Sequence, residues 1–415
     1  MPGPCYIVPP HLLRGIAESE HNSDATRDGA RASLASYERL ATAVQERLTA
    51  LSQASKPGIG TARPAPFIPE AVLARLSLSD DVDGETRTRA KRDLGHLLSL
   101  VARKPGGDED TDNDSDDKKD EPKDAPYRAV YDAKHIEAEG DLPGELARAE
   151  GESKVKDKAV NEAYDNVGHV LDFYKDKFHW KSIDNKNADV ISSVHFGRDY
   201  ENAFWDPEKL QMVFGDGGEY LGNFTGCIDV IGHEITHAVT EHTSPLDYNG
   251  QPGALNEHIS DVFGVMIKQK LENKESQEAD WLVGEGCLLP DVKGLALRSM
   301  KSPGEAYDDP RFGKDPQVDN MDKYEKTYDD NGGVHIYSGI PNKAFYLAAV
   351  AFGGYSWEKA GQIWWKAMTC GRVPVRCNFK QFADVTIDMA KEEFDDEAED
   401  KVRKAWTDVG VIGSS

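Results

Sequence analysis

The chain contains 415 residues, with 49 Lys and Arg against 74 Asp and Glu, which gives a formal net charge of −25. Such an acidic protein would be repelled by nucleic acids and by anionic membranes, so both are excluded as partners. Hydrophobic residues make up 39% of the chain, enough for a packed core, and no apolar run reaches the roughly 18 residues that a membrane-spanning helix needs.

The first zone, residues 1 to about 103, is predicted to be a small helical region. Residues 30–44 are rich in Ala and Leu and carry apolar side chains at helical spacing, and residues 94–102 repeat that pattern. The first ten residues lack the basic start and the apolar stretch of a secretory signal peptide. We therefore expect the protein to be cytoplasmic or to be secreted by a non-classical route.

Residues 105–124 separate this zone from the rest of the chain. From Asp108 to Asp124 there are ten acidic residues and three lysines, a net charge of −7. Such a run repels itself and buries no apolar area, so a solvated linker is expected. A calcium loop is the weaker alternative, because the run lacks the glycine and the final glutamate of the EF-hand pattern.

From about residue 127 to the end, the pattern is that of a packed α+β protein. The sequence predicts an amphipathic helix over 160–178, a strand over 188–196 and Gly- and Asp-rich turns over 215–226. Later segments have helical periodicity, at 229–242, 254–272, 338–354, 356–370 and 378–392. A lobe that contains strands therefore precedes a mostly helical lobe.

The pattern His-Glu-x-x-His, formed by His233, Glu234 and His237, lies within one of these predicted helices. Residues four apart share a helix face, so both imidazoles can point at one metal ion, with Glu234 beside it as a base for water. Glu257 follows twenty residues later in a second helix that can place its carboxylate opposite the histidines. Three ligands and one open position are typical of catalytic zinc, although Co²⁺ or Mn²⁺ would also bind.

Other residues near this motif are expected to assist or to compete. Asp261, in the second helix, can accept a hydrogen bond from a ligating histidine. His242 and His258 are rival ligands, but the spacing disfavours both, because neither projects from the face that carries the other ligands. His335 follows an Asn-Gly-Gly turn five residues after Asp330, which can hold it as a donor, although His335 taken alone is more simply structural.

Six segments in register resemble the thermolysin family of zinc endopeptidases: residues 200–205, 214–217, 233–240, 253–261, 297–300 and 330–335. The similarity covers roughly residues 127–415. It implies a thermolysin-like α+β catalytic domain with two lobes and a zinc cleft between them. The implied activity is that of a zinc-dependent endopeptidase, a neutral metalloprotease acting on peptide and protein substrates.

The resemblance also implies a role for each matching residue. His233, His237 and Glu257 would be the zinc ligands, Asp261 would orient His233, and Glu234 would be the general base. The oxyanion would be stabilised by Tyr248 and His335, with Asp330 holding His335. The substrate main chain would be held by Asn202, the backbone of Ala203 and Arg298. The pocket after the cleaved bond would be lined by Leu221, Phe224, Val230, Val283 and Leu297, which implies cleavage before bulky apolar residues.

The calcium sites of the family match only in part. Asp229, Asp280 and Glu285 match calcium ligands, but Lys268 stands where family members usually have an acidic residue. An ammonium group cannot bind a cation and would repel it. We expect one calcium ion at most.

Residues 8–13 resemble the short propeptide of the protealysin branch of this family. By that resemblance, residues 1–104 would be an inhibitory propeptide and 105–124 a flexible linker, followed by catalytic lobes at 125–262 and 263–415. Cys5 precedes the matching segment, and one hypothesis is that its thiolate binds zinc and keeps the zymogen inactive. An uninvolved cysteine is the simpler alternative.

Two other functions remain open at this point, and so do two structural questions. A non-catalytic binding protein with the same fold is disfavoured by the intact Glu234, Tyr248 and His335. A zinc exopeptidase fits the zinc motif alone, but it has no use for residues that hold an extended peptide. The odd number of cysteines excludes a disulfide framework but leaves open whether Cys370 and Cys377 pair, and we expect a monomer.

Overall fold

The structure, a computed structural model, describes residues 5–35, 125–137, 141–206 and 209–413, with side chains from residue 7 onward. Residues 24–35 are helical, in agreement with the start of the helix predicted from residue 30. The helix predicted over 94–102 and the linker predicted over 105–124 lie outside the described residues.

The strand-containing lobe is built on a six-stranded mixed sheet. Its strands are β1 Cys5–Tyr6, β2 Arg128–Asp132, β3 Glu145–Ala149, β4 Val190–Val194, β5 Ala203–Asp206 and β6 Gln211–Phe214. They lie side by side in the order β1-β5-β6-β4-β2-β3, and β4 pairs in parallel with both β2 and β6. The strand predicted over 188–196 is confirmed as β4. Strands β5 and β6 are buried on both faces, so no alternation of polar and apolar residues reveals them.

A short helix, α1 Pro10–Glu18, follows strand β1. The long helix α2, Lys158–Phe178, covers one face of the sheet. The Asp157 carboxylate accepts a hydrogen bond from the Val160 N–H, 3.2 Å away, and so satisfies one of the free donors at the start of α2. The helix ends at His179, whose φ of 54° is left-handed. These bounds confirm the amphipathic helix predicted over 160–178.

The rest of the chain is mostly helical, which confirms the predicted α+β fold class. Its helices are α3 Ile228–Thr243, α4 Gly250–Glu272, α5 Asp330–Tyr337, α6 Gly339–Phe352, α7 Lys359–Thr369, α8 Phe379–Glu393 and α9 Asp396–Asp408. Two small hairpin-like sheets pair β7 Leu282–Val283 with β8 Arg298–Ser299, and β9 Asp308–Asp309 with β10 Gly313–Lys314. Within the described parts of the chain, none of the helices combines the length and the apolar character needed to cross a bilayer.

Helices α3 and α4 approach each other unusually closely because glycines face each other across their interface. A Cβ added to Gly232 would lie 3.0 Å from the Cα of Gly264, and one added to Gly264 would lie 2.5 Å from the carbonyl oxygen of Asp229. Only glycine fits at such a distance. The close packing brings side chains of the two helices together, and the site described below lies at this contact.

Candidate active site

The three predicted zinc ligands meet where α3 and α4 pack together. The Nε2 atoms of His233 and His237, one turn apart on α3, are 3.0 Å from each other. Glu257 of α4 places Oε2 3.4 Å from His233 Nε2 and Oε1 3.7 Å from His237 Nε2. All three side chains are buried, and among the described residues they form the one cluster of three His, Cys, Asp or Glu residues with the spacing of a metal site.

Buried oxygens without a hydrogen bond indicate that this cluster suits a cation. Among the residues that the structure describes, no partner forms a hydrogen bond of regular geometry with either carboxylate oxygen of Glu234 or with Oε2 of Glu257, although both side chains are fully buried. Leaving such groups unpaired in a protein interior is costly. Two imidazoles and a carboxylate without a thiolate are a donor set that fits Zn²⁺. Burial raises the pKa of Glu234 to about 8.

Acceptors behind the two histidines fix the direction in which their rings point. His233 Nδ1 lies 2.9 Å from Asp261 Oδ1, and His237 Nδ1 lies 2.8 Å from Asn256 Oδ1. With Nδ1 donating to these oxygens, each Nε2 presents a lone pair to the metal position. Asp261 thus lies where the sequence predicted it. The role of Asn256 as the hydrogen-bond partner of His237 was not predicted, although its position next to Glu257 on α4 could have suggested it.

The rival ligands lie away from this cluster. His258 Nδ1 donates to Asn342 Oδ1, 2.8 Å away, while its Nε2 accepts from the Trp364 indole. His242 Nδ1 lies 2.9 Å from the Ala238 carbonyl. Both histidines are therefore satisfied elsewhere.

Asp261 also joins His233, a predicted zinc ligand, to the predicted substrate-binding residue Arg298. The guanidinium donates from Nε and Nη2 to the two carboxylate oxygens, at 2.9 and 2.7 Å, and Asn342 Nδ2 donates to Oδ2 at 2.9 Å. Burial alone would raise the pKa of Asp261, but Arg298 and His233 hold it well below its usual range. A fully buried charge pair therefore fixes Arg298 beside the site.

His335 enters the site from the last turn of α5, held by Asp330 at the start of the same helix. Its Nδ1 lies 2.7 Å from Asp330 Oδ1 and its Nε2 lies 3.4 Å from Glu257 Oε2, so Nε2 points at the ligand cluster. Residues 330–333 all have left-handed φ values, between 50° and 84°, which the Asn-Gly-Gly sequence permits. Burial would lower the pKa of His335, but Asp330 and Glu257 raise it to about 9. The Tyr248 hydroxyl donates to Glu257 Oε1.

The N-terminal segment of the chain lies on the residues predicted to hold a substrate. The Ile7 N–H donates to the Ala203 carbonyl at 3.2 Å, and Arg298 Nη1 donates to the Ile7 carbonyl at 2.8 Å. Asn202 accepts from the Val8 N–H at 2.9 Å and donates to the Val8 carbonyl at 3.2 Å. The structure thus brings together Asn202, Ala203 and Arg298 around an extended peptide, and that peptide belongs to the chain itself.

Further contacts anchor this segment to the lobe after residue 125. His11 Nε2 lies 3.0 Å from the Tyr307 hydroxyl. Asn22 donates to the Arg311 carbonyl at 2.9 Å and accepts from the Tyr220 hydroxyl at 2.9 Å. Asn22 was not predicted, because nothing in the local sequence distinguishes it from other polar residues.

Lys268 lies among the residues that match calcium ligands. Its Nζ is 3.0 Å from Glu285 Oε2 and 3.2 Å from Asp280 Oδ1. Asp229 accepts instead from the Gly284 N–H, 2.7 Å away. Burial would lower the pKa of Lys268, but Asp229, Asp280 and Glu285 raise it above its ordinary value. The ammonium group therefore uses the carboxylate oxygens that a calcium ion would need.

Replacing Lys268 with methionine should destabilise the protein, because it leaves these carboxylates close together without their cation. We expect the free energy of unfolding to fall by about 1–3 kcal/mol in calcium-free buffer. Urea unfolding of the two proteins, each with and without calcium, measures this. Lys301→Met, at an exposed lysine, is the control and should unfold as the wild type does. Equal stability of Lys268→Met and wild type would contradict the assignment.

Four of the cysteines, Cys227, Cys287, Cys370 and Cys377, are free thiols. Cys370 and Cys377 thus do not pair, which answers the question left open by the sequence. The side chain of Cys5 lies outside the described atoms, and only its backbone in β1 is placed.

Comparisons with known proteins agree with this geometry. The family model for the thermolysin metallopeptidase catalytic domain matches residues 110–241, and the model for the thermolysin metallopeptidase alpha-helical domain matches 244–411. An extracellular metalloprotease of Pectobacterium carotovorum is 47% identical over 276 residues, covering 66% of this chain and 79% of that protein. Protease PrtS of Photorhabdus is 46% identical over 276 residues, covering 66% and 74%. The solved precursor of protealysin, a metalloproteinase from Serratia proteamaculans, is 38% identical, with a TM-score of 0.73 over 98% of this chain and all of that one.

These relatives overturn one expectation. The Pectobacterium protein and a relative from Serratia marcescens are both named extracellular metalloproteases. The expectation that the protein is cytoplasmic or secreted by a non-classical route is therefore wrong. It rested on the composition of the first ten residues alone, and that composition does not determine where a protein acts.

Proposed function

The chain belongs to the thermolysin family of zinc-dependent endopeptidases, and we propose that it is a zymogen whose N-terminal segment blocks the peptide-binding cleft until it is removed. The observation that carries this proposal is a set of hydrogen bonds made by the N-terminal segment. Ile7 and Val8 are hydrogen-bonded to Asn202, Ala203 and Arg298, which are the residues predicted to hold a substrate. We further propose that the mature enzyme acts outside the cell, as its relatives are named.

The proposed chemistry assigns one task to each buried group. His233, His237 and Glu257 would hold zinc, which supplies a Lewis acid for the peptide carbonyl and for a water molecule. Glu234 would take the proton of that water and pass it to the leaving amine. A base whose pKa lies near neutrality, as burial makes that of Glu234, suits both transfers.

Two donors are proposed to stabilise the negative oxygen that develops on the cleaved carbonyl. His335 Nε2 points into the site because Asp330 holds Nδ1, and the carboxylates of Asp330 and Glu257 raise the pKa of the imidazole above its ordinary value. The Tyr248 hydroxyl, which donates to Glu257 Oε1 in this structure, would be the second donor. Fixed donors aimed at developing charge are worth about 3–4 kcal/mol each.

Cleavage before bulky apolar residues is proposed from the apolar character of the predicted pocket residues and of Ile7. The five residues predicted to line this pocket are apolar and almost fully buried, and like Ile7 they are part of the main hydrophobic core: Leu221, Phe224, Val230, Val283 and Leu297. An apolar pocket of this kind gains free energy from each methylene group that it removes from water. Arg298 donates to the Ile7 carbonyl, and we propose that Ile7 takes the place of the residue that follows the cleaved bond.

An Ile7→Asp substitution should weaken the inhibition. A carboxylate in an apolar pocket is costly, so we expect the unprocessed precursor to hydrolyse a small peptide about tenfold faster than the wild-type precursor. The initial rate before any processing is the measurement. Glu18→Gln, at an exposed position of α1, is the control and should remain as inactive as the wild type. A precursor that stays equally inactive with Asp at residue 7 would contradict the proposed inhibition.

Three further assignments are proposals of the same kind. Residues 1–104 would be the propeptide, 105–124 a flexible linker, and 125–262 and 263–415 the catalytic lobes, with α4 running through the boundary between them. A Cys5 thiolate on the zinc ion would be excluded if wild-type and Cys5→Ser precursors show equal latency and equal metal spectra. One calcium ion at Asp229, Asp280 and Glu285 stays a prediction. The ion pairs of Lys268 with Asp280 and Glu285 argue against it.

A further inference from the structure

The zinc-binding helix carries a second carboxylate that the proposed chemistry does not use. Glu241 follows Glu234 by seven residues on α3, so the two side chains project in nearly the same direction, about 10 Å apart along the helix axis. Both reach strand β5 at the same residue: Glu234 lies near the backbone N–H of Trp205 and Glu241 near its indole. Helix α3 also packs against β1. Glu241 therefore lies along the cleft, beyond the catalytic base.

Two polar atoms at this place lack a hydrogen bond of regular geometry within the part of the chain that the structure describes. Oε1 of Glu241 and Nε1 of Trp205 are both buried, and neither forms a hydrogen bond of regular geometry among the described residues. Burial is the main cause that raises the pKa of Glu241 to about 7, because it disfavours the ionised form of the carboxylate. A cationic group beside it would relieve this, because an opposite charge favours the ionised form.

The bound N-terminal segment shows which substrate residue reaches this place. Strand β1 runs antiparallel to β5, with Cys5 opposite Trp205 and Tyr6 opposite Phe204. If the residue after the cleaved bond lies where Ile7 lies, the residue opposite Trp205 is the second one before that bond. Side chains of directly opposite residues in an antiparallel pair lie on the same face of the sheet. A substrate side chain two residues before the cleaved bond therefore extends toward Trp205 and Glu241.

We propose that Trp205 and Glu241 form a specificity subsite for a basic side chain, Lys or Arg, two residues before the cleaved bond. The inference rests on the proposed endopeptidase function and on the binding direction of residues 5–8. Glu241 would pair with the cationic end of the side chain, and the indole of Trp205 would contact the cation through its aromatic face. The subsite would act together with the apolar pocket on the other side of the cleaved bond.

The test uses peptides that differ only at this position, with Arg, Gln or Glu two residues before a single Leu that directs cleavage. For the processed wild-type enzyme we expect kcat/KM to be about tenfold higher for Arg than for Gln, and lowest for Glu. In Glu241→Gln the ratio of Arg to Gln should fall to about one. Glu278→Gln, the same change at an exposed position, should keep the wild-type ratio. Mass spectrometry of the products confirms that the intended bond is cleaved.

Two outcomes would overturn the subsite. One is a wild-type enzyme that cleaves the three peptides equally well, a result that does not depend on the folding of any variant. The other is an Arg preference that Glu241→Gln retains. If instead no peptide is cleaved at all, the proposed endopeptidase function fails rather than the subsite, so the two failures are distinguishable.

Discussion

Replacing Glu234 with glutamine is expected to lower kcat/KM of the processed enzyme by about 10³–10⁴-fold. The amide preserves the shape of the side chain but cannot accept the proton of the attacking water, and general acid–base catalysis contributes a factor of up to about 10⁴. Glu234 is not one of the three clustered ligands, so the zinc content should remain that of the wild type. Steady-state hydrolysis of a peptide and metal analysis of the same sample measure both quantities.

Glu278→Gln is the matched control for this experiment, since it makes the same chemical change at an exposed site. It should retain the full rate. A Glu234→Gln enzyme that keeps more than a few per cent of wild-type activity would show that another group takes the proton. Loss of zinc from this variant would show instead that Glu234 acts as a ligand.

Asp261→Asn should have the largest effect on stability. Asp261 holds His233 and Arg298 together, and all three side chains are buried. The amide leaves the guanidinium charge without its counterion, and breaking a buried pair in this way costs about 3–5 kcal/mol. Denaturant unfolding of the precursor should show a loss of this size, and the processed protein should lose activity because His233 and Arg298 are no longer held in place.

A second variant separates the charge pair from general damage to the core. If Arg298→Met is combined with Asp261→Asn, no unpaired charge remains, and part of the lost stability should return. Asp388→Asn removes a carboxylate from an exposed ion pair with Arg372 and should cost less than about 1 kcal/mol. Additive losses in the double variant would contradict the view that the two side chains stabilise each other.

The zinc site was predictable because it depends on short-range order. His233, Glu234 and His237 lie on one helix, where the spacing alone determines which side chains share a face, and Glu257 follows in the next helix. The strand β4 and the long helices were predictable for the same reason, since their apolar periodicity is visible in a short window. The loss of a calcium ligand at Lys268 was also predictable, because replacing an acidic residue by a lysine changes the charge at a single position of the sequence.

What the sequence did not give was the pairing of distant residues. Asp261 and Arg298 are 37 positions apart, and Asn202 meets Val8 across 194 positions. Neither contact leaves a periodic signal. Strands β5 and β6 are short and buried on both faces, so the sequence did not reveal where they lie. It therefore could not show that Glu234 and Glu241 both lie beside Trp205 of β5. Resemblance predicted that the N-terminal segment inhibits, but only the structure shows its direction and register.

Zinc-dependent catalysis is tested most directly by measuring metal content and peptidase activity on one sample of processed enzyme. We predict one zinc ion per molecule, loss of casein and peptide hydrolysis when a chelator removes it, and recovery when one equivalent of zinc is restored. Glu257→Gln should bind zinc weakly and remain inactive under the same conditions. Hydrolysis that continues after zinc has been removed would contradict the assignment of His233, His237 and Glu257 as the centre of the enzyme.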